Sequence, residues 1–255
     1  SNEAFLRNVR GLDNLMLRAS YGVTGNDDIG NYNALDYYQL TRYRETSGLI
    51  AGLIANRALR YEKTKELNTG IDVSLWGDRT RLTVNYYNKS TEDLLIYEPI
   101  ESFTGFHYRP ANPGIIENQG FEFSLYQRII DGQKFAWDIA PSVSYLLSNE
   151  VKDIKGEELV ASFKGGESVA REGESINNFY GYQFEGVYVD QAEADTAGLL
   201  NDKGIPYGAG DAKFQDVSGP EGRPDSVIND HDRVLLGSPI PDFYGSLSNR
   251  FEYNR

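Results

Sequence analysis

Polar and apolar residues alternate through residues 65–97. Leu67, Thr69, Ile71, Val73 and Leu75 share one parity, and Glu66, Asn68, Gly70, Asp72 and Ser74 share the other. After Gly77-Asp78 the alternation resumes, with Leu82, Val84 and Tyr86 interleaved with Arg81, Thr83 and Asn85. A period of two marks strands with one apolar and one polar face. Gly-Asp between two such runs predicts a tight hairpin turn, because glycine supplies the positive φ that such turns need. Each run has room for about ten strand residues or more, against roughly five or six in an ordinary soluble strand. About ten residues is what a tilted strand needs to cross a bilayer.

The pattern recurs along the chain. Residues 15–22 read as a first strand, with Leu15, Leu17, Ala19 and Tyr21 on one face. Residues 117–130 gather Phe121, Phe123 and Leu125, and Asp131-Gly132 signals a second tight turn. Residues 135–148 gather Phe135, Trp137, Ile139, Val143, Tyr145 and Leu147. Pro141 sits on the same parity and predicts a bulge or a local break in pairing, since proline cannot donate to a ladder. A last strand over 242–254 has Phe243, Leu247, Phe251 and Tyr253 on one face.

Between these runs lie long excursions at about 23–60, 98–116 and 149–241. In the first, residues 47–56 suggest a short helix that two glycines disfavour, and the whole region reads as a long loop. In the last, the strand-like residues 178–189 are placed in the excursion and not in the wall, which leaves six wall strands. Short turns at one end and long loops at the other are the organisation of outer-membrane barrels. Six strands fall short of the eight that close the smallest bacterial barrels, and an open sheet edge cannot sit in hydrocarbon. The fold class expected is therefore all-β, a fragment of a large antiparallel transmembrane β-barrel with long extracellular loops. A soluble β-rich module, such as a secreted carbohydrate-binding domain, is the alternative.

Composition narrows the function. No run of about 18 apolar residues occurs, so no transmembrane helix is expected. The formal charge of −13 disfavours nucleic acid and anionic surfaces as partners. The chain has no cysteine, hence no disulfide framework, thiolate metal site or cysteine nucleophile. His107 and His231 lie in loops without an HExxH spacing, and neither a GxSxG elbow nor a P-loop is present. The acidic pair Glu157-Glu158 belongs to a solvated loop in a chain this acidic. Enzyme activity is not expected. Trp76, Phe135 and Trp137 lie beside the short turns, where an aromatic girdle at the periplasmic interface belongs. Glu66, Asp72, Arg81, Glu122, Arg128 and Arg250 are expected to line the barrel interior in a hydrogen-bonded, ion-paired network.

Several phrases point to a family. LRASYGVTGNDDIGNY, YEKTKELNTGIDVSLW, RLTVNYYNKSTEDLL, ENQGFEFSL and DRVLLGSPIPDFYGS occur in that order between about Leu15 and Tyr253. Together they resemble the SusC-like (RagA-type) TonB-dependent outer-membrane transporters. The resemblance implies that residues 1–255 are part of the C-terminal half of a barrel of about 22 strands. Its plug domain and closing strands would lie elsewhere. It also implies TonB-driven uptake of an oligosaccharide or peptide, and a SusD-like surface lipoprotein as lid. The other partners implied are the remaining barrel and plug, the TonB system and outer-membrane lipid. An outer-membrane receptor or adhesin without active transport is the rival within the same fold.

On that resemblance, aromatic residues of the outer loops become candidate substrate contacts: Tyr37, Tyr38, Tyr43, Phe103, Phe106, Tyr108, Tyr180 and Tyr182. Family members often carry a compact calcium loop before an Asp-Arg pair. Here Asp211, Asp216, Asp225, Asp230 and Asp232 offer hard oxygen donors suited to structural calcium, but their spacing is broken by SGPEGRPDS. The alternative is an acidic loop whose side chains bond its own backbone. No other cofactor is required.

Overall fold

A computed structural model describes residues 9–28, 34–155 and 158–254. In chain order the strands begin with β1 (Leu12–Asn26), β2 (Tyr37–Tyr43), β3 (Thr46–Leu53), β4 (Glu62–Leu75), β5 (Thr80–Pro99), β6 (Tyr108–Asp131) and β7 (Phe135–Ile154). Then come β8 (Leu159–Phe163), β9 (Gly166–Ala170), β10 (Asn178–Tyr182), β11 (Phe184–Val187) and helix α1 (Gln191–Ala197). The chain ends with β12 (Leu200–Asn201), β13 (Ala212–Phe214), β14 (Val227–Ile228), β15 (Arg233–Gly237) and β16 (Phe243–Tyr253).

Two compact units result. The first holds a six-stranded antiparallel sheet in the order β1-β4-β5-β6-β7-β16, together with the β2-β3 hairpin. The second, residues 158–170 and 176–239, holds the four-stranded sheet β15-β10-β9-β8, two small two-stranded pairs and α1. The six expected wall strands are thus the six of the large sheet, and residues 178–189 lie outside it. Among the described residues, no helix is long and apolar enough to cross a membrane.

Register explains why the large sheet has two unlike faces. Leu17, Ile71, Val84 and Phe123 are paired strand to strand and continue to Val143 and Gly245. The neighbouring row runs Arg18, Gly70, Asn85, Glu122, Ser144 and Tyr244. A one-residue slip anywhere would swap the faces, so the alternation itself fixes the register. The apolar face is bare: Leu17 is 73 % exposed, Leu247 62 % and Phe251 62 %. A soluble sheet would cover such a strip; this one presents it to its surroundings.

The short turns gather at one end. At the first, Trp76, Gly77 and Asp78 all have positive φ (56°, 67° and 61°), so the turn spans four residues between the paired Leu75 and Thr80. The Asp13 carboxylate stabilises it by accepting from the Gly77 and Asp78 N–H groups at 2.6 and 3.1 Å. At the second, Gly132 N donates to Phe135 O at 2.9 Å, and Asn254 N at the end of β16 reaches Lys134 O at 3.0 Å. Opposite Pro141 the β6 ladder skips Leu125 and Tyr126 and resumes in the same register. Pro141 therefore opens the ladder locally without a bulge.

Three expectations change. Residues 46–53 are a strand, neither loop nor short helix: the Tyr37 ring lies against Gly52, at a place where only a residue without Cβ fits. Residues 98–116 are mostly wall, because β5 and β6 pair out to Pro99 and Tyr108 and leave only 100–107 between them. Pro110 and Pro113 disguised this extension in the sequence. It is accommodated by register shifts between Thr91 and Leu94 and between Leu94 and Ile96. The Asn112 side chain satisfies the backbone there, accepting from Arg60 N and donating to Arg60 O and Asp93 O. Finally, residues 149–241 are not irregular throughout. β7 runs on to Ile154, and the remainder contains the second unit with its own sheet and helix.

Candidate functional site

The polar face of the large sheet carries a connected network. Arg18 on β1 grips Asp72 on β4 with two bonds, Nε to Oδ2 at 2.6 Å and Nη2 to Oδ1 at 3.0 Å, and Nη2 also reaches Asn85 Oδ1 at 2.9 Å. Thr83 Oγ1 donates to Asp72 Oδ1 at 2.8 Å. Three strands are tied together through one carboxylate, in the bidentate arrangement that guanidinium and carboxylate favour. Gly70 makes this approach possible, since a Cβ there would lie 2.5 Å from Asn85 Oδ1 and 3.1 Å from Arg18 Nη2. Gly120 does the same for the Tyr87 hydroxyl, which would stand 2.5 Å from a Cβ.

Beside this network the face is hollowed. A concavity of about 860 Å³ is lined by Arg18, Ser20, Glu66, Asn68, Asn85, Tyr87, Lys89 and Glu122, among others. Lys89 and Glu122 have no ion-pair partner among the described residues. Toward the short turns the face closes with a second network. Arg128 donates to both oxygens of the buried Asp138 at 2.8 and 3.4 Å and lies 3.5 Å from Asp131, while Arg81 stacks on the Tyr126 ring at 4.4 Å. Arg250 pairs with Glu252 at 2.6 Å. Asp72, Arg81, Arg128 and Arg250 of the expected interior set are thus partnered, Glu66 accepts from Asn68 at 2.9 Å, and Glu122 stays open to the hollow. From the sequence, Asn85 and Gly70 were placed on the polar parity without a role, and Tyr87, Asp138 and Gly120 went unnamed. Glycine inside a strand was the available signal, because it often marks close approach of another group.

The candidate substrate contacts are scattered. Tyr38 on β2 is 73 % exposed and Tyr37 half-buried on the opposite face of the hairpin; the side chain of Tyr43 lies outside the described residues. Phe103, at 87 % exposure, crowns the β5-β6 tip, with Phe106 half-buried and Tyr108 exposed below it. Tyr180 and Tyr182 belong to β10 in the second unit. There the Arg233 guanidinium covers Tyr180 at 4.8 Å, and Tyr182 packs against Phe214 at 5.6 Å. Burial and the nearby Asp230 carboxylate push the Tyr182 phenol up to about 12. These two rings are packed against neighbours, whereas Tyr38 and Phe103 are exposed.

The aspartates expected to bind calcium do not converge. Asp211 Oδ2 accepts from Gly208 N, Asp216 Oδ2 from Ser226 N and Asp225 Oδ1 from Val227 N. Asp230 faces Tyr182 and Arg233. Asp232 is fully buried and accepts three backbone N–H bonds, from Val217, Ser218 and Asn229 at 2.8–3.1 Å. Among the described residues no group of three or more acidic or histidine side chains is placed to hold a metal. The two ends of SGPEGRPDS are held this way, Ser218 N by Asp232 and Ser226 N by Asp216, and the other carboxylates bond backbone beside it or side chains.

At the short-turn end, aromatic rings collect on the apolar face. Phe251 stacks on Trp137 at 5.7 Å and on Phe135 at 6.3 Å, and the Trp137 indole donates to Asn249 at 3.2 Å. Trp76, 60 % exposed, stands at the adjacent turn. An apolar face ending in an aromatic rim and backed by a polar, ion-paired face defines a stretch of membrane-barrel wall.

Comparison with known proteins gives that wall its family. Residues 10–230 match the family model described as TonB dependent receptor-like, beta-barrel. The chain belongs to the TonB-dependent receptor family and is an outer-membrane protein. It is 32 % identical over 263 residues to TonB-dependent receptor P3 of Formosa agariphila, covering 99 % of this chain and 26 % of that protein. It is 26 % identical over 265 residues to TonB-dependent receptor SusC of Bacteroides thetaiotaomicron, covering 98 % and 25 %. A solved structure of the RagAB peptide transporter superposes with a TM-score of 0.76 at 21 % identity, covering 98 % of this chain and 26 % of that one. The chain thus spans about a quarter of the length of the relatives it matches.

Proposed function

We propose that this chain forms wall and outer loops of a nutrient importer that takes an oligosaccharide or a peptide across the outer membrane. The observation that carries the proposal is the hollowed polar face. It places hydroxyl, amide and unpaired charged groups together on the side of the sheet away from the apolar strip. Such a surface suits a hydrated, hydrogen-bonding cargo and gives an apolar one little to hold. Tyr38 and Phe103 would supply the first contacts outside, since exposed rings stack on sugar faces and on peptide side chains alike. The remaining barrel and plug, a SusD-like lid lipoprotein and the TonB system complete the importer in this reading. The similarity to the RagAB peptide transporter supports the peptide reading, and the hydroxyl and amide groups lining the hollow suit an oligosaccharide as well.

The test is uptake by cells expressing the complete receptor, offered labelled oligosaccharide and peptide pools with and without a functional TonB system. Accumulation of one pool that disappears without TonB supports import. Surface binding that persists without accumulation would overturn import in favour of a receptor or adhesin. Replacing Phe103 and Tyr38 by Ala together is expected to weaken capture by roughly five- to a hundredfold, at about 0.5–1.5 kcal/mol per lost stacking contact.

A further inference from the structure

The apolar face of the large sheet does not run the full length of its strands. On β5 its positions are Leu82, Val84 and Tyr86, but the same parity continues as Asn88, Ser90 and Glu92. On β6 it passes from Phe123 and Phe121 to Gln119 and Glu117. On β4 it passes from Leu67 to Lys65 and Lys63. On β5 and β6 the change coincides with one register row, in which Tyr86 pairs with Phe121, Phe121 with Tyr145 and Tyr145 with Phe243, and on β4 it comes two residues higher, after Leu67, which pairs with Asn88. The Tyr86 and Phe121 rings lie 5.2 Å apart, and the Tyr86 hydroxyl points on to Gln119 Oε1 at 3.4 Å. Beyond it the charges pair with one another: Lys65 with Glu92, and Lys152 with Glu150 at 2.8 Å and Glu117 at 3.6 Å.

The lower limit of the apolar band is the row of Ile130, Trp137 and Phe251. Phe251 to Phe243 on β16, and Trp137 to Tyr145 on β7, each cover about 27 Å of strand at 3.4 Å per residue. At the 35–45° tilt of such barrels this is about 20 Å of membrane depth, close to the roughly 25 Å apolar band of outer-membrane proteins. Polar residues inside the band include Thr69, Thr80, Gln127 and Asn249; Gln127 accepts from Thr80 at 2.6 Å and Asn249 from Trp137 at 3.2 Å. On β1 the apolar positions continue to Tyr21 and Val23, so the boundary shifts in register toward that edge. A level plane crossing tilted strands must shift from row to row in this way.

We infer that the outer edge of the bilayer lies at the Tyr86–Phe121–Tyr145 row, with acyl chains on the rings below it and an aqueous collar above. The collar comprises the upper stretches of β5, β6 and β7. On β5 it is about a dozen residues, or roughly 40 Å of strand, standing on the order of 30 Å above the lipid. The inference rests on the outer-membrane location and adds where the lipid stops.

The experiment uses the complete receptor in lipid bilayers, spin-labelled at single cysteines, for which this chain contributes no native thiol. Two ladders are compared: Val84→Cys, Tyr86→Cys, Asn88→Cys and Ser90→Cys on β5, and Phe123→Cys, Phe121→Cys, Gln119→Cys and Glu117→Cys on β6. Each label is relaxed by oxygen, which partitions into lipid, and by a water-soluble nickel chelate. Oxygen should dominate at 84 and 123, nickel at 88, 90, 119 and 117, with the ratio inverting at 86 and 121 on both strands. Oxygen dominance persisting through 90 and 117 would overturn the boundary while leaving the membrane location intact. Nickel dominance already at 84 and 123 would overturn the location itself. Two independent strands guard against a variant that fails to assemble.

Discussion

Gly70 shows how a single residue decides what the polar face can do. Its missing side chain admits the Arg18 guanidinium and the Asn85 amide over β4, and so allows one carboxylate to hold three strands. Gly70→Val is expected to cost about 1–3 kcal/mol by overpacking, read as a lower unfolding temperature of the detergent-solubilised receptor. Gly70→Ala should cost less but share the sign. Asp232 plays a comparable part in the second unit, buried with three backbone donors on its two oxygens. Asp232→Ala would leave those donors unsatisfied, at about 3 kcal/mol, and hydrogen exchange over residues 216–232 should accelerate. Removing calcium with a chelator should leave that exchange unchanged, and faster exchange on chelation would contradict the assignment of these oxygens. For Tyr182 the sign follows from its raised pKa. The phenol is held neutral, so its contribution is complete below the ordinary value of about 10 and is lost as pH rises through about 12. Comparing tyrosinate absorbance of the parent protein with Tyr182→Phe should show a step near pH 12, and a step near 10 would contradict the packing described.

At the scale of elements, period-two alternation made the wall legible, because lipid on one side and water on the other impose opposite demands on successive residues. Leu67 to Leu75 and Leu82 to Tyr86 needed no further information to be paired. What escaped was wherever that demand lapses. β2 and β3 are two-sided in polarity, and the small residues of Gly48 to Gly52 resemble a poor helix as much as a strand. The upper half of β6 carries Pro110 and Pro113 and has left the lipid, so neither composition nor alternation betrays it. The second unit is knit by Asp and Asn side chains bonding backbone, a three-dimensional relation that spacing does not encode. The candidate site divides the same way. Charged interior positions were readable from parity, but the hollow depends on which of them find partners, and among the described residues Lys89 and Glu122 find no ion pair. The two faces should respond differently to charge. Ile71→Arg, placed in the apolar band, is expected to destabilise the folded receptor by about 2–4 kcal/mol in denaturant titrations from vesicles. Asn68→Arg on the polar face should change it by less than about 1 kcal/mol.

For the whole molecule, the governing fact is a sheet with an uncovered apolar face and two edges, β1 and β16, that are unpaired among the described residues. Soluble proteins protect such edges and cover such faces, and membrane barrels close the one and give the other to lipid. The family match, the polar hollow and the collar of paired charges are each consistent with that single solution. The most direct test is the state of the 255-residue chain expressed alone, followed by light scattering and far-UV circular dichroism with and without detergent. Aggregation in plain buffer, with ordered β-signal regained only in detergent or on assembly with the rest of the barrel, is the predicted result. A monodisperse monomer that unfolds cooperatively in detergent-free buffer would contradict it.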